Sequence, residues 1–131
     1  MARVRLAGAQ DVLRVVEMIE DLRAAVQGPI PVDRAWTART VAGLIASDDG
    51  AVWITDGGFI AGVIEPTIIS PAPVAKEMGW YSRDRSGLLL LRAFEDWARM
   101  RGATLIQLST GAEGLDLSRF GYRIAERAWV K

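Results

Sequence analysis

The feature that most constrains this chain is Glu77-Met78-Gly79-Trp80-Tyr81-Ser82-Arg83-Asp84-Arg85-Ser86-Gly87, running directly into Leu88-Leu89-Leu90-Leu91-Arg92-Ala93-Phe94-Glu95-Asp96-Trp97-Ala98. A strand from about Val74 to Tyr81 gives way to a polar turn, and the turn to a helix with Leu90, Phe94, Trp97 and Ala98 on one face. The first amides of a helix have no intrahelical acceptor and sit at the positive end of its dipole. A turn carrying Arg83, Arg85, Ser86 and Gly87 in front of them is therefore a candidate anion or phosphate cradle. The competing reading is a plain strand-to-helix connection in which Ser86 and Gly87 only cap.

The chain before this stretch alternates between the two periods. Arg3-Val4-Arg5-Leu6-Ala7 reads as a short strand ended by Gly8, and Val12, Val15, Val16, Ile19, Leu22 and Val26 form the apolar stripe of a helix stopped by Gly28 and Pro29. After the link Ile30-Pro31-Val32, Asp33 is placed to cap a second helix that carries Val41, Leu44 and Ile45 to about Ser47. Ala51 to Thr55 and Phe59 to Ile64, joined by Asp56-Gly57-Gly58, predict an antiparallel hairpin, and Gly62 inside the second strand predicts a bulge or a close approach. Pro66, Pro71 and Pro73 predict an exposed connection from Ser70 to Pro73.

Beyond the central helix, which pairs Glu95 with Arg99 and stops at Gly102, Thr104 to Ser109 reads as a strand. The natural unit is then a parallel strand-helix-strand crossover. Leu115 to Phe120 is a short helical turn closed by Gly121, and Tyr122 to Val130 a final strand. Five tryptophans, Trp36, Trp53, Trp80, Trp97 and Trp129, fall on five separate elements, which favours core packing over a stacking surface. With 131 residues, residues 1–131 are expected to form one domain.

Composition narrows the chemistry. There are 16 Lys plus Arg against 16 Asp plus Glu, and no basic run, so nucleic-acid affinity built on clustered phosphate contacts is not expected. No stretch suits a membrane span and no signal-like apolar run follows Met1, giving the expectation of a cytoplasmic protein. The absence of both cysteine and histidine excludes a thiolate nucleophile and an imidazole base and makes a zinc hydrolase a poor fit. Catalysis would run on carboxylates, Tyr, Ser/Thr, Lys or backbone groups.

The order strand, helix, helix, three strands, helix, strand, short helix, strand resembles the GNAT fold, that of the Gcn5-related N-acetyltransferases, an α/β (α+β) architecture with a mixed central sheet. Asp56 to Ile64 resembles the family's hairpin, Leu90 to Ala98 with Gly102-Ala103 and Leu105 to Leu108 its central helix and following strand, and Phe120-Gly121-Tyr122 its Leu-Gly-Phe signature. The likeness covers nearly the whole chain and is closest to short members common in phages and prophages.

The resemblance implies direct acetyl transfer from acetyl-CoA to an amine, small-molecule or protein-borne, without metal. The pantetheine arm would follow the exposed edge of the strand before the central helix, and the pyrophosphate would rest on the amides that open it. Trp80, Tyr81, Ser82, Arg83, Asp84, Arg85, Ser86, Gly87 and Leu88 are the cofactor-binding stretch so implied, and Glu77, on the strand where members carry a water-linked carboxylate, is the candidate base; an exposed strand glutamate is the alternative.

The departures are specific. Matching Gly87 to the last glycine of the family's Arg/Gln-x-x-Gly-x-Gly/Ala pattern puts Ser82 at the basic position and Arg85 at the first glycine; an alternative alignment makes Arg83 the basic residue in a shortened loop. Arg85 would then either supply a guanidinium in place of lost amides or block the groove. Leu117 stands where many members carry the tyrosine that protonates the departing thiolate. The alternative is a catalytically silent GNAT-like binding or virion-associated protein, and whether a second copy of the chain completes the final strand is left open by the sequence.

Overall fold

The computed structural model describes residues 3–111 and 114–131. The strands β1 (Arg5–Leu6), β2 (Gly50–Ile54), β3 (Gly58–Thr67), β4 (Ser70–Ser82) and β5 (Leu105–Gln107) form one sheet in the order β1-β2-β3-β4-β5. The first four are antiparallel neighbours, and β5 joins β4 in parallel. Three helices cover the sheet: α1 (Val12–Val26), α2 (Arg34–Ala46) and α3 (Gly87–Met100).

Every residue of β2 is buried, as a central strand covered on both faces requires. One face packs Ala51, Trp53, Ile60, Ile64 and Ala75 against Leu90, Leu91, Phe94 and Ala98 of α3. The other packs Val52, Ile54, Phe59 and Ala61 against Val15 and Met18 of α1 and Val41 of α2. Phe59 and Phe94 are each fully buried at the heart of one layer, and burial of such a side chain stabilises by about 1.5 to 3 kcal/mol.

Local signals act largely as expected. Asp33 caps α2 by accepting from the Trp36 amide at 3.0 Å. At the end of α1 the left-handed residue is Gln27, with φ 53°, rather than Gly28, whose amide bonds instead to the Arg23 carbonyl. Gly62 answers both expectations at once. The β3–β4 register shifts between Ala61 and Gly62, and a Cβ on Gly62 would stand 2.3 Å from Cε1 of Phe94.

Several expectations need correcting. Ser70 to Pro73 is the start of β4, with the turn at Ile68 and Ile69. The prolines fit there because a second register irregularity, between Glu65 and Thr67, interrupts the ladder where their missing donors would fall. Tyr122 to Val130 forms no strand: its residues make no ladder, and Trp129 is 87 % exposed. Of the five tryptophans, Trp53, Trp80 and Trp97 belong to the α3 layer, while Trp36 and Trp129 are exposed. Glu95 does not serve Arg99; it accepts the Tyr122 hydroxyl, and Arg99 pairs with Asp96.

Candidate active site

The site grows from the point where β4 and β5 part. Their ladder holds for three pairs, Val74 with Leu105, Ala75 with Ile106 and Lys76 with Gln107, and then stops while β4 continues to Ser82. Across β3, Ala61 pairs with Gly79 and Gly62 with Glu77, so Met78 is an extra residue bulged out of β4. A bulge bends its strand and raises its twist. The backbone from Glu77 to Ser82 is thereby left without a strand partner on the β5 side, an open edge leading to the start of α3.

Glu77 sits at the fork. Its Oε1 accepts the amide of Ser109 at 2.9 Å, across the opening between the two strands. Burial pushes its carboxyl above the ordinary value of 4.5, and the Ser109 amide partly offsets that by favouring the charged form. A carboxylate so raised is closer to the working range of a general base. Ser109 carried no signal in the sequence, because its contribution is a backbone amide that any residue in that place would supply.

At the far end of the open edge, α3 makes its first backbone bond from Leu90 to the Ser86 carbonyl. The amides of Gly87, Leu88 and Leu89 therefore precede the helical ladder and are the donors a helix start leaves over. Trp80 and Tyr81 flank the edge but pack to opposite sides. The Trp80 indole lies on the α3 layer and donates to the Gly87 carbonyl at 3.1 Å, whereas Tyr81 packs with Phe59 on the other face. Only their backbone lines the edge.

The turn from Ser82 to Gly87 is a closed polar cluster. Asp84 Oδ1 accepts from the hydroxyls of Ser82 and Ser86 and from the Ser86 amide, and its Oδ2 accepts the Gly57 amide at 2.9 Å. The Ser86 hydroxyl above all, then the Ser82 hydroxyl and the amides, hold the Asp84 carboxyl below its ordinary value of 3.8. Ser86 is fully buried and its hydroxyl also meets Thr55 Oγ1 at 2.7 Å. Arg83 donates its amide to the Gly57 carbonyl and pairs its guanidinium with Asp21 of α1 at 3.2 Å. Gly57 is required here, since a Cβ on it would lie 2.8 Å from Cγ of Asp84.

Arg85 is exposed and has φ 63°, the left-handed region that favours glycine. Among the expected cofactor-binding residues, Trp80 to Ser82 contribute the unpaired backbone edge, Gly87 and Leu88 amides at the helix start, and Arg85 an exposed side chain. The fold buries Ser86, engages the exposed Asp84 in hydrogen bonds within the turn, and pairs Arg83 with α1.

No tyrosine is poised as an acid at this fork. Leu117 begins the 3-10 turn Ser118–Phe120, and the Tyr122 hydroxyl donates to Glu95 at 2.5 Å. Burial first, then that hydrogen bond to Glu95, push the phenol well above its ordinary range. Among the described residues, no helix is long and apolar enough to cross a membrane.

No protein-family model matches the sequence, and a search of curated proteins finds no match. Solved structures do match. A predicted acetyltransferase from Clostridium acetobutylicum, determined with acetyl-CoA, is 16 % identical, covers 100 % of this chain and 95 % of its own, and has a TM-score of 0.81. A candidate acetyltransferase from Arthrobacter sp. FB24 is 27 % identical over 91 % of this chain and 81 % of its own, at 0.72. An aminoglycoside acetyltransferase, meta-AAC0020, from an uncultured soil metagenomic sample is 14 % identical over 99 % and 93 %, at 0.68. The fold of this chain is the mixed α/β fold of GNAT acetyltransferases.

Proposed function

We propose that the chain is an acetyl-CoA-dependent N-acetyltransferase of GNAT type that acetylates an amine by direct transfer. The observation that carries this is the fork itself: a β4 edge from Glu77 to Ser82, unpaired on the β5 side, that starts at a half-buried carboxylate and ends at three amides preceding the helical ladder. An extended pantetheine arm matches an open strand edge, since its amides can add to the backbone as a strand would. A pyrophosphate matches the start of α3, with the exposed Arg85 guanidinium beside it.

In this reading the amine nitrogen forms a bond to the thioester carbonyl carbon as the carbon–sulfur bond breaks. Glu77 receives the proton that the nitrogen gives up, and Ser109 holds the Glu77 carboxylate in place. The thiolate departs without a side-chain acid. An ordinary thiol has a pKa of about 8.5, so solvent protonates it near neutrality. Orientation of the two substrates along the fork supplies the main part of the rate.

One observation favours a second reading. Asp84, an anion, already sits in the turn before α3 and takes the Ser86 amide that a phosphate would otherwise use. A chain that had lost the cofactor would tolerate such a carboxylate, and would be a silent GNAT-like binding module with a macromolecular partner, phage-particle proteins among them. Release of free thiol from acetyl-CoA in the presence of an amine panel separates the two. Turnover of any amine above the solvent rate supports the transferase; none across the panel supports the silent module.

A further inference from the structure

A groove of about 430 Å³ lies between α1 and α2. Its walls are Ile19, Leu22 and Val26 of α1, Ile30 and Val32 of the link, and Trp36 of α2. Three of these are well exposed, Val26 at 51 %, Ile30 at 77 % and Trp36 at 65 %. Apolar residues exposed side by side in a concavity mark a binding surface rather than ordinary scatter, and the volume falls in the roughly 300 to 1,000 Å³ of small-molecule sites.

The groove is tied to the fork by a short path. A Cβ on Gly111 would lie 4.0 Å from Cγ1 of Val26, so Gly111, in the chain after β5, stands against the groove wall. Ser109, whose amide bonds Glu77, is two residues earlier, about 7 Å of extended chain.

Charge decides what kind of molecule fits. The described lining holds one carboxylate, Asp33, and one cation, Arg23. Asp33 is engaged in capping α2, and Arg23 Nε donates to the Gly28 carbonyl at 3.0 Å. A polycationic acceptor such as an aminoglycoside would find one committed carboxylate and an arginine of its own sign.

Resting on the transferase reading above, we propose that the α1–α2 groove is the acceptor subsite and selects amines with an apolar, preferably aromatic, body. The body lies against Trp36, Ile30 and Val26, and the amine points toward Glu77. A neutral amine nitrogen forms the carbon–nitrogen bond to the acetyl carbonyl, the carbon–sulfur bond of acetyl-CoA breaks, the amine proton passes to Glu77, and CoA leaves as thiolate. An aromatic body adds stacking on the indole to its transfer out of water.

The test compares 2-phenylethylamine with kanamycin as acceptors, in the parent and in Trp36→Ala, with acetyl-CoA affinity measured separately. Trp36 is exposed, so the substitution is expected to leave the melting temperature unchanged. The expected result is a kcat/KM at least tenfold higher for 2-phenylethylamine than for kanamycin. Trp36→Ala should lower the former about tenfold through KM, with acetyl-CoA affinity unaltered, and 2-phenylethylamine should shift the Trp36 indole N–H resonance of the parent. If acetyl-CoA binds but kanamycin is preferred, or Trp36→Ala leaves KM for 2-phenylethylamine unchanged, the groove assignment is overturned and the transferase reading stands. If acetyl-CoA binds and neither amine is turned over, the assignment is overturned as well. If acetyl-CoA does not bind, the transferase reading fails and takes this assignment with it.

Discussion

At the scale of single residues, Gly62 and Glu77 are cross-strand partners with opposite jobs. Gly62 exists to admit the Phe94 ring, and a methyl group there would force either the ring or the strand to move. Gly62→Ala is expected to destabilise by roughly 1 to 3 kcal/mol, the range for overpacking a tight core, measured by urea denaturation. Glu77 has a carboxyl raised above 4.5 by burial, so the folded state holds its proton more tightly than the unfolded chain does. The stability this gives is fully present below about 4.5 and is lost as pH rises through the folded value. Glu77→Gln should therefore be at least as stable as the parent at pH 7 and should lack that decline. In acetyl transfer the sign reverses, since a base works only when ionised. The parent's kcat/KM should rise with pH through the raised Glu77 value, and Glu77→Gln should lose that limb together with most of the rate. A glutamine variant of parental activity and pH profile would remove Glu77 as the base.

At the scale of elements, the turn between β4 and α3 decides how the helix start is used. A non-glycine residue in the left-handed region is strained by about 1 to 2 kcal/mol, and Arg85 is held there by the cluster of Ser82, Asp84 and Ser86 around it. Arg85→Gly relieves that strain but gives the unfolded chain more freedom, about 0.5 to 1 kcal/mol, so its stability should stay within about 1 kcal/mol of the parent. Its affinity for acetyl-CoA should fall roughly fivefold to tenfold, a charged hydrogen bond to phosphate discounted for exposure. Tighter binding would instead mean that the guanidinium obstructs the groove.

The contrast between this turn and its surroundings explains what could be read in advance. Leu90, Phe94 and Ala98 show their face in the 3.6-residue period, and Asp33 its cap in a single position. The engagement of Asp84 depends on Gly57, 27 positions away in sequence, and no local pattern carries that. Pro71 and Pro73 were misleading for a related reason: proline excludes a regular ladder, but β4 is irregular there, with register supplied by β3.

At the scale of the whole molecule, the order of elements from β1 to β5 was legible because the three helices and strands β2 to β4 are long enough for their periods to register, with the short β1 and β5 marked by the apolar residues around them. The last stretch was not. Residues 122–130 have strand-like alternation, yet alternation specifies a strand only where one face has something to bury, and Ile124, Trp129 and Val130 are instead exposed. The candidate site was half legible. Glu77 and the start of α3 follow from strand-turn-helix logic, while the fork that joins them follows from the Met78 bulge and the early end of the β4–β5 ladder, features of pairing between strands rather than of either strand alone.

The transferase reading requires that this fork receive an acyl-CoA. Isothermal titration calorimetry with acetyl-CoA measures that without reference to any acceptor amine. Saturable one-to-one binding in the micromolar range is expected, with a rise in the melting temperature of the protein, since a ligand held only by the folded state must stabilise it. No heat of binding and no thermal shift at millimolar acetyl-CoA would contradict it.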